Sequence, residues 1–219
     1  MSCASRPRTV RAALLAAGLA LLSACAALPR GAAPPAPTAP AGAPGAGPAP
    51  IPPAARAAFG QALAALEAGE DDTAEQALLQ LTRDFPELSG PHANLGLLYL
   101  RQDRPDEAAR ELERAVTLNP EQAAAWNALG IVHRQRGDFE AAREAYEAAL
   151  AADPDLAEAH RNLAILLDLY LGRVDEALIH YRRYQALRGD DPQAARWVVE
   201  AERRARRRDA GAAAGNSGQ

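Results

Sequence analysis

The sequence predicts an all-α protein built from stacked helix-turn-helix units. Three observations carry that expectation. Pro86, Pro120 and Pro154 stand 34 residues apart, as do Leu95, Leu129 and Leu163. The same interval places small residues in register: Gly96, Gly130 and Ala164 at one position, Ala74, Ala108 and Ala142 at another. From Ala54 onward the composition turns to Ala, Leu, Glu and Arg in helical periods, broken at Gly69-Glu70 and Gly137-Asp138. Self-similarity at this period means that no unit can bury its apolar face alone, so neighbouring units must stack.

Ahead of the repeats lie two segments of different character. "MSCASRPRTVR" carries Arg6, Arg8 and Arg11 and no acid, and "AALLAAGLALL" (Ala12–Leu22) is apolar throughout. A basic start, an apolar core of about a dozen residues and small residues behind it predict a secretory signal peptide over residues 1–24. An uncleaved anchor is the competing reading, although the run is at the short limit of the ~20 residues a membrane span needs. Leu22-Ser23-Ala24-Cys25 resembles the lipobox of bacterial lipoproteins, in which the thiol receives a diacylglycerol and the new amine is acylated. An ordinary signal peptide with a chance cysteine is the alternative. The resemblance implies three acyl chains on Cys25, where two already anchor a protein stably. Ala26 stands where retention in the inner membrane usually shows Asp, so the implied destination is the periplasmic face of the outer membrane. Cys3 would leave with the signal peptide and Cys25 would be blocked. Disulfides, thiolate catalysis and cysteine metal sites are therefore not expected.

Residues 25–53 follow as a tether. "LPRGAAPPAPTAPAGAPGAGPAPIPP" is nearly all Pro, Ala and Gly, which can neither bury a core nor continue a helix. A linker of this length reaches about 30 Å as a coil and up to about 75 Å if wholly polyproline-like. All basic side chains of the sequence are arginines, which points to base-composition bias. The repeat domain is expected over residues 54–208, with a frayed tail over 209–219. A pI near 5.6 gives no basic footprint for nucleic acid.

Within the repeats, Trp126-x2-Leu129-Gly130-x2-His133, followed by Ala142, Tyr146, Ala149 and Pro154, resembles the tetratricopeptide repeat (TPR) family. The likeness runs from Ala55 to about Asp190 and implies a right-handed superhelix of about four units. Gly130 and Ala142 are small where two helices cross closely, and Pro154 stops a second helix. The first unit departs from the pattern, with Ala58 and Gln61 where large apolar residues usually sit. The fourth departs as well: Ala177, Tyr181 and Tyr184 come one residue late, so one residue is inserted near Asp168–Leu171. "DPQAARWVVEAERRARRR" predicts a final capping helix. Asp190 or Asp191 would cap it, Pro192 suits its first turn, and Trp197, Val198 and Ala201 form one stripe. Its Arg203–Arg208 cluster would favour the negative helix end.

The residues for catalysis are sparse. Outside the leader the serines are Ser89 and Ser217. His92, His133 and His160 fall at helix-packing positions and His180 lies on the last second helix, so packing roles are expected for all four. Asp71-Asp72 and Asp190-Asp191 read as helix caps. No phosphate loop is present, and no enzyme, cofactor or metal site is expected.

Binding is the function the pattern favours. By the TPR resemblance, first helices line a concave groove, which assigns it Phe59, Leu63, Asn94, Leu97, Arg101, Asn127, Ile131, Arg134, Arg161, Asn162, Ile165 and Asp168. Leu63, Leu97, Ile131 and Ile165 again repeat every 34 residues and predict one aliphatic row. Asn94 and Asn162 match a TPR asparagine able to bond a ligand backbone. The Lys and Asn ladder that clamps acidic C-termini in chaperone-binding relatives is missing. "ANLGLLYL" is apolar nearly all round, more than packing on one neighbour requires. Part of it either waits for a ligand or is covered by adjacent repeats or the linker. The expected protein is a non-catalytic scaffold that binds a protein or peptide in the periplasm, held to the membrane through Cys25, with no nucleic acid and an open oligomeric state. It resembles TPR lipoproteins that assist pilus and secretion machines. The alternative is an adaptor that gathers peptidoglycan-remodelling enzymes.

Overall fold

The structure, a computed structural model, describes residues 51–189 and 191–216, the side chains of 212–216 aside. The expected signal peptide, Cys25 and the linker as far as Pro50 lie outside the described residues. The helices are α1 (Pro53–Ala68), α2 (Asp71–Asp84), α3 (Ser89–Arg101), α4 (Pro105–Leu118), α5 (Ala123–Arg136), α6 (Phe139–Ala152), α7 (Ala157–Ile165), α8 (Val174–Arg188) and α9 (Pro192–Asn216). Among the described residues there is no strand. Consecutive helices pair as α1–α2, α3–α4, α5–α6 and α7–α8, and α9 packs on α8. The fold is the all-α repeat stack that the 34-residue spacing requires.

Each hairpin turns at one residue in the left-handed region. These are Gly69 (φ 73°), Asp103 (φ 56°), Gly137 (φ 84°) and Gly172 (φ 67°). At Gly137 the turn closes with the Asp138 N–H donating to the His133 carbonyl at 2.9 Å, and Gly69-Glu70 repeats it onto Ala65. A Cβ is disfavoured there, which explains glycine at three of the four places, while aspartate is among the side chains that tolerate the conformation. Second helices end differently. Asn119 Oδ1 accepts from the Glu121 N–H at 3.1 Å and Asp153 Oδ1 from the Asp155 N–H at 3.0 Å, so each side chain caps the turn around the following proline.

Close crossings set the spacing within a unit. A Cβ on Gly96 would lie 2.6 Å from Leu112 Cγ, and one on Gly130 would lie 2.5 Å from the Tyr146 ring. Leu78, Leu95, Leu98 and Leu112 fill the core toward the N-terminal end; Tyr146, Leu163, Leu166 and Tyr181 fill it toward the C-terminal end. Trp126 is half-buried against the first of these, and its indole N–H donates to the Pro120 carbonyl at 2.8 Å.

The inserted residue is absorbed in a single π turn, Leu166–Tyr170, that continues α7. The Leu171 N–H donates to the Leu166 carbonyl at 3.1 Å, the i→i−5 pattern by which one extra residue enters a helix without ending it.

Two expectations are corrected. Asp71-Asp72 do not cap α2 through their side chains; Asp71 instead accepts from Arg101 at 2.6 Å, and both acids sit in the first turn, where the helix dipole favours them. The last helix runs to Asn216 rather than stopping near Arg208, so the arginine cluster is not at the helix end. Arg204, Arg206 and Arg208 pair instead with Asp168, Glu202 and Asp175.

Candidate peptide-binding face

The first helices α3, α5 and α7 adjoin one another, which makes a continuous surface of what the sequence spaced 34 residues apart. Along it Leu63, Ile131 and Ile165 are half-buried, while Leu97 is 40% exposed. The aliphatic row is therefore neither sealed in the core nor fully open. Of the apolar run in α3, Leu95, Leu98 and Tyr99 are buried and Leu100 is half-buried, so its surplus reaches solvent at Leu97. Phe59 is half-buried and lies against Gly90, where an added Cβ would sit 3.2 Å from the ring.

The polar residues assigned to the face are mostly engaged within the chain. Asn94 Nδ2 donates to the Gly90 carbonyl at 2.9 Å. Asn162, buried, donates from Nδ2 to Asn127 Oδ1 at 2.9 Å, a bond that ties α7 to α5. Arg101 pairs with Asp71 at the surface. These bonds leave Asn94 Oδ1, Asn127 Nδ2 and Asn162 Oδ1 as the amide groups not used in them.

Asp168 requires a correction. Its side chain is only 1% exposed and is held by Arg204 of α9, with Tyr181 Oη donating to it at 3.3 Å. A buried carboxylate needs such partners, and the π turn directs it under α9 rather than along the face. Burial, then the Asp168 charge, holds the Tyr181 phenol above its ordinary value. With Asp168 removed, the charge left on the face is positive.

Arg134 and Arg161 carry that charge. Among the described residues neither has a carboxylate within ion-pair distance, and Arg161 makes only a 3.5 Å approach to Asn162 Oδ1. Both guanidiniums lie close enough to the Tyr146 hydroxyl to oppose the effect of its burial, which pushes the phenol upward. The buried Tyr146 Oη and Arg134 Nε have no hydrogen-bond partner among the described residues. Tyr146 and Tyr170, the latter tilted against Phe139 with ring centroids 4.8 Å apart, are contributors that sequence reading missed. Tyr146 read only as a repeat core residue, and nothing in its spacing announced that its hydroxyl ends beside two arginines.

His160 and His180 form a separate pair. His160 Nε2 lies 3.0 Å from the Pro154 carbonyl, and its Nδ1 lies 2.9 Å from His180 Nδ1. A carbonyl can only accept, so Nε2 of His160 carries the proton and Nδ1 accepts from His180. Burial, then the neighbouring His160, lowers the pKa of His180. Among the described residues no group of three or more His, Cys, Asp or Glu could hold a metal ion.

Comparison with known proteins agrees with this geometry. Two sequence profiles described as "Tetratricopeptide repeat" match, one over residues 94–157 and 128–192 and another over 56–87. The chloroplastic tetratricopeptide repeat domain-containing protein PYG7 of Arabidopsis thaliana is 32% identical over 81 residues, covering 37% of this chain and 27% of that protein. The chain thus spans about a quarter of that relative. The crystal structure of the MamA protein superposes with a TM-score of 0.62 at 22% identity, covering 71% of this chain and 84% of MamA. That of pilF from Pseudomonas aeruginosa gives a TM-score of 0.62 at 19% identity, covering 70% of each chain. At these identities the structural likenesses concern the fold.

Proposed function

From a chain that belongs to the tetratricopeptide repeat family, we infer a non-catalytic scaffold that takes an apolar peptide segment with an acidic flank along its first-helix face. Proteins of this family bind protein or peptide partners. The observation that carries the finer reading is that the first helices present both Leu97, 40% exposed in the aliphatic row, and Arg134 and Arg161, which lack carboxylate partners among the described residues. The row supplies apolar contact, the two guanidiniums favour a carboxylate, and Asn94 Oδ1 can accept from a ligand backbone. The lipobox-like Leu22-Ser23-Ala24-Cys25 and the Pro/Ala-rich tether support a lipid-anchored position at the periplasmic face of the outer membrane. A tethered, partner-binding stack of this kind suits assistance in building an envelope machine such as a pilus or secretion system.

Two experiments test this. Cys25→Ser should abolish fatty-acid labelling and release the protein from outer-membrane fractions; unchanged labelling removes the anchor. Peptides with an apolar stretch and an acidic or a basic flank should separate in affinity, acidic above basic. Leu97→Gln with Arg161→Glu should weaken the acidic set at least tenfold with unchanged helicity. Equal affinity for both flanks sinks the proposed ligand chemistry.

A further inference from the structure

A stack of repeats leaves one face bare at each end. In α3, α5 and α7, Leu95, Leu129 and Leu163 are buried. The equivalent residue of α1 is Gln61, exposed, and Ala57 and Ala64 beside it are exposed too. Small and polar side chains there keep the bare end in water, as terminal repeats require. At the other end α9 turns Ala194, Ala201 and Ala205 inward, and presents Val199, 44% exposed, on its outer side.

The two ends differ in charge. Helix α9 holds six arginines against Glu200, Glu202 and Asp209, a net of +3. From Pro53 to Asp84, α1 and α2 hold six acids against Arg56 and Arg83, a net of −4. Several of these charges face out without an ion-pair partner. Among the described residues Arg196, Arg203 and Arg207 have no acidic partner, whereas Arg204 and Arg208 reach back to Asp168 and Asp175. The seven- and four-residue spacings put the unpaired three on one side of α9 with Val199, and Glu200 is the acid among them. Glu67, Glu70 and Asp72, exposed around the α1–α2 turn, likewise have no basic partner, while Asp71 beside them is taken by Arg101.

The order along the chain matches as well. The outer side of α9 carries Arg196 near its start, then Val199 and Glu200, and ends basic at Arg203 and Arg207. The outer side of α1 begins with the exposed Arg56, continues with the small Ala57 and Ala64, and ends acidic at Glu67 and then Glu70. Both patterns extend over about a dozen residues, roughly 18 Å of helix. A parallel pairing sets Arg203 and Arg207 against Glu67 and Glu70, and the first helices α3, α5 and α7 already neighbour one another inside the stack.

We propose that the outer face of α9 docks on the α1–α2 end of a second copy of this chain, joining molecules head to tail. The occupant follows from complementarity: the chain itself carries an end of opposite charge, with unpaired acids to meet the unpaired arginines of α9. The contact is heterologous, so it propagates to rings or open chains beyond a dimer. It does not depend on the peptide reading, because none of its residues lies in the aliphatic row.

Sedimentation of the full-length chain over a dilution series tests it, at about 0.05 M and about 0.5 M salt, where screening shortens from ~14 Å to ~4 Å. Association past the dimer is expected, weakened at least tenfold by the higher salt. Reversing the acidic end (Glu67→Arg, Glu70→Arg, Asp72→Arg) should lower association at least tenfold, as should Arg196→Glu, Arg203→Glu and Arg207→Glu. A chain with both ends reversed should regain it. Circular dichroism keeps loss of fold apart, since all six side chains are exposed. Wild-type monomers at every concentration overturn the proposal, as does association indifferent to either reversal or a doubly reversed chain that stays apart. Capture of wild-type chain by anionic vesicles without self-association would give the α9 face to a lipid surface instead, and also overturns it.

Discussion

The third and fourth units solve the same packing problem in different ways. In the third, α5 crosses α6 at Gly130, and the Tyr146 ring fills the space that a Cβ would take. In the fourth, the equivalent residue is Ala164, buried, and Tyr181 arrives one position later because α7 has taken up an extra residue in its π turn. The third unit turns into its second helix at Gly137 and the fourth at Gly172, 35 residues on rather than 34. The insertion is thus confined between Leu166 and Gly172, and beyond it α8 resumes the pattern. Its cost is a buried carboxylate, Asp168, which the fourth unit cannot satisfy with backbone alone. Helix α9 satisfies it through Arg204. The regular unit depends on shape, whereas the irregular one depends on an ion pair with its cap.

The largest expected effect tests the shape side. Gly130→Ala puts a methyl 2.5 Å from a fully buried aromatic ring. Overpacking of this kind costs about 1–3 kcal/mol, and a ring that cannot retreat favours the upper end. The fourth unit already has Ala at this place, so Ala164→Gly should cost only about 1 kcal/mol, the helical penalty of glycine. Urea titration of both variants reads the difference. Equal costs would mean that Tyr146 moves freely and that the close crossing does not set the spacing.

The ion-pair side comes next. Arg204→Ala leaves the Asp168 carboxylate buried with only Tyr181 Oη as side-chain donor. Losing one partner of a buried pair costs about 3–5 kcal/mol, but Arg204 is about a third exposed and water can reach the gap, so about 2 kcal/mol is expected. Adding Asp168→Asn should recover part of that, and in the double-mutant cycle the two changes should not add. Additivity would mean that α9 is held by its apolar stripe alone.

How much of this was legible follows from the same contrast. Repeat number, turn positions, close crossings and even the insertion could be read, because each imposes a residue type at a fixed interval. The fate of Asp168 could not. Spacing put it on the first-helix face, and the π turn rotated it under a helix 36 residues away. Likewise Trp126 and His160 occupy the same place and both meet a proline carbonyl, Pro120 at 2.8 Å and Pro154 at 3.0 Å. The register gave the place, but only coordinates show that an imidazole can do there what an indole does. The aliphatic row was legible as a row; its partial exposure, which depends on how far the first helices stand apart, was not.

A smaller effect tests the His160–His180 contact of the fourth unit. The pKa of His180 is lowered by burial and by His160. The unfolded imidazole takes its proton near pH 6.5, the folded one only at lower pH. Stability should therefore be flat above that value and fall as pH drops from it toward the folded pKa, with a slope no steeper than about 1.4 kcal/mol per pH unit for one proton. His180→Gln should remove this slope and leave the acid unfolding of the carboxylates in place. Denaturation midpoints at closely spaced pH values check it, and an unchanged slope would assign the titration elsewhere.

The smallest effect sharpens the comparison by extending it to the second unit. Asp103 turns its hairpin at φ 56°, where the other three units use glycine. Left-handed geometry costs an ordinary L-residue about 1–2 kcal/mol, less for Asp, whose short side chain tolerates it. Asp103→Gly relieves that strain but gives the unfolded chain more freedom, which returns part of the gain. Asp103 is exposed and takes part in no side-chain bond among the described residues, so little else is lost. The balance is a stabilisation of at most about 1 kcal/mol, measurable as a small rise in the urea midpoint at constant m-value. Asp103→Ala should move the midpoint the other way, because alanine keeps the Cβ without the polar tolerance of aspartate. If both variants shift it equally, the turn is not strained at Asp103, and glycine at the other three hairpins reflects something other than backbone geometry.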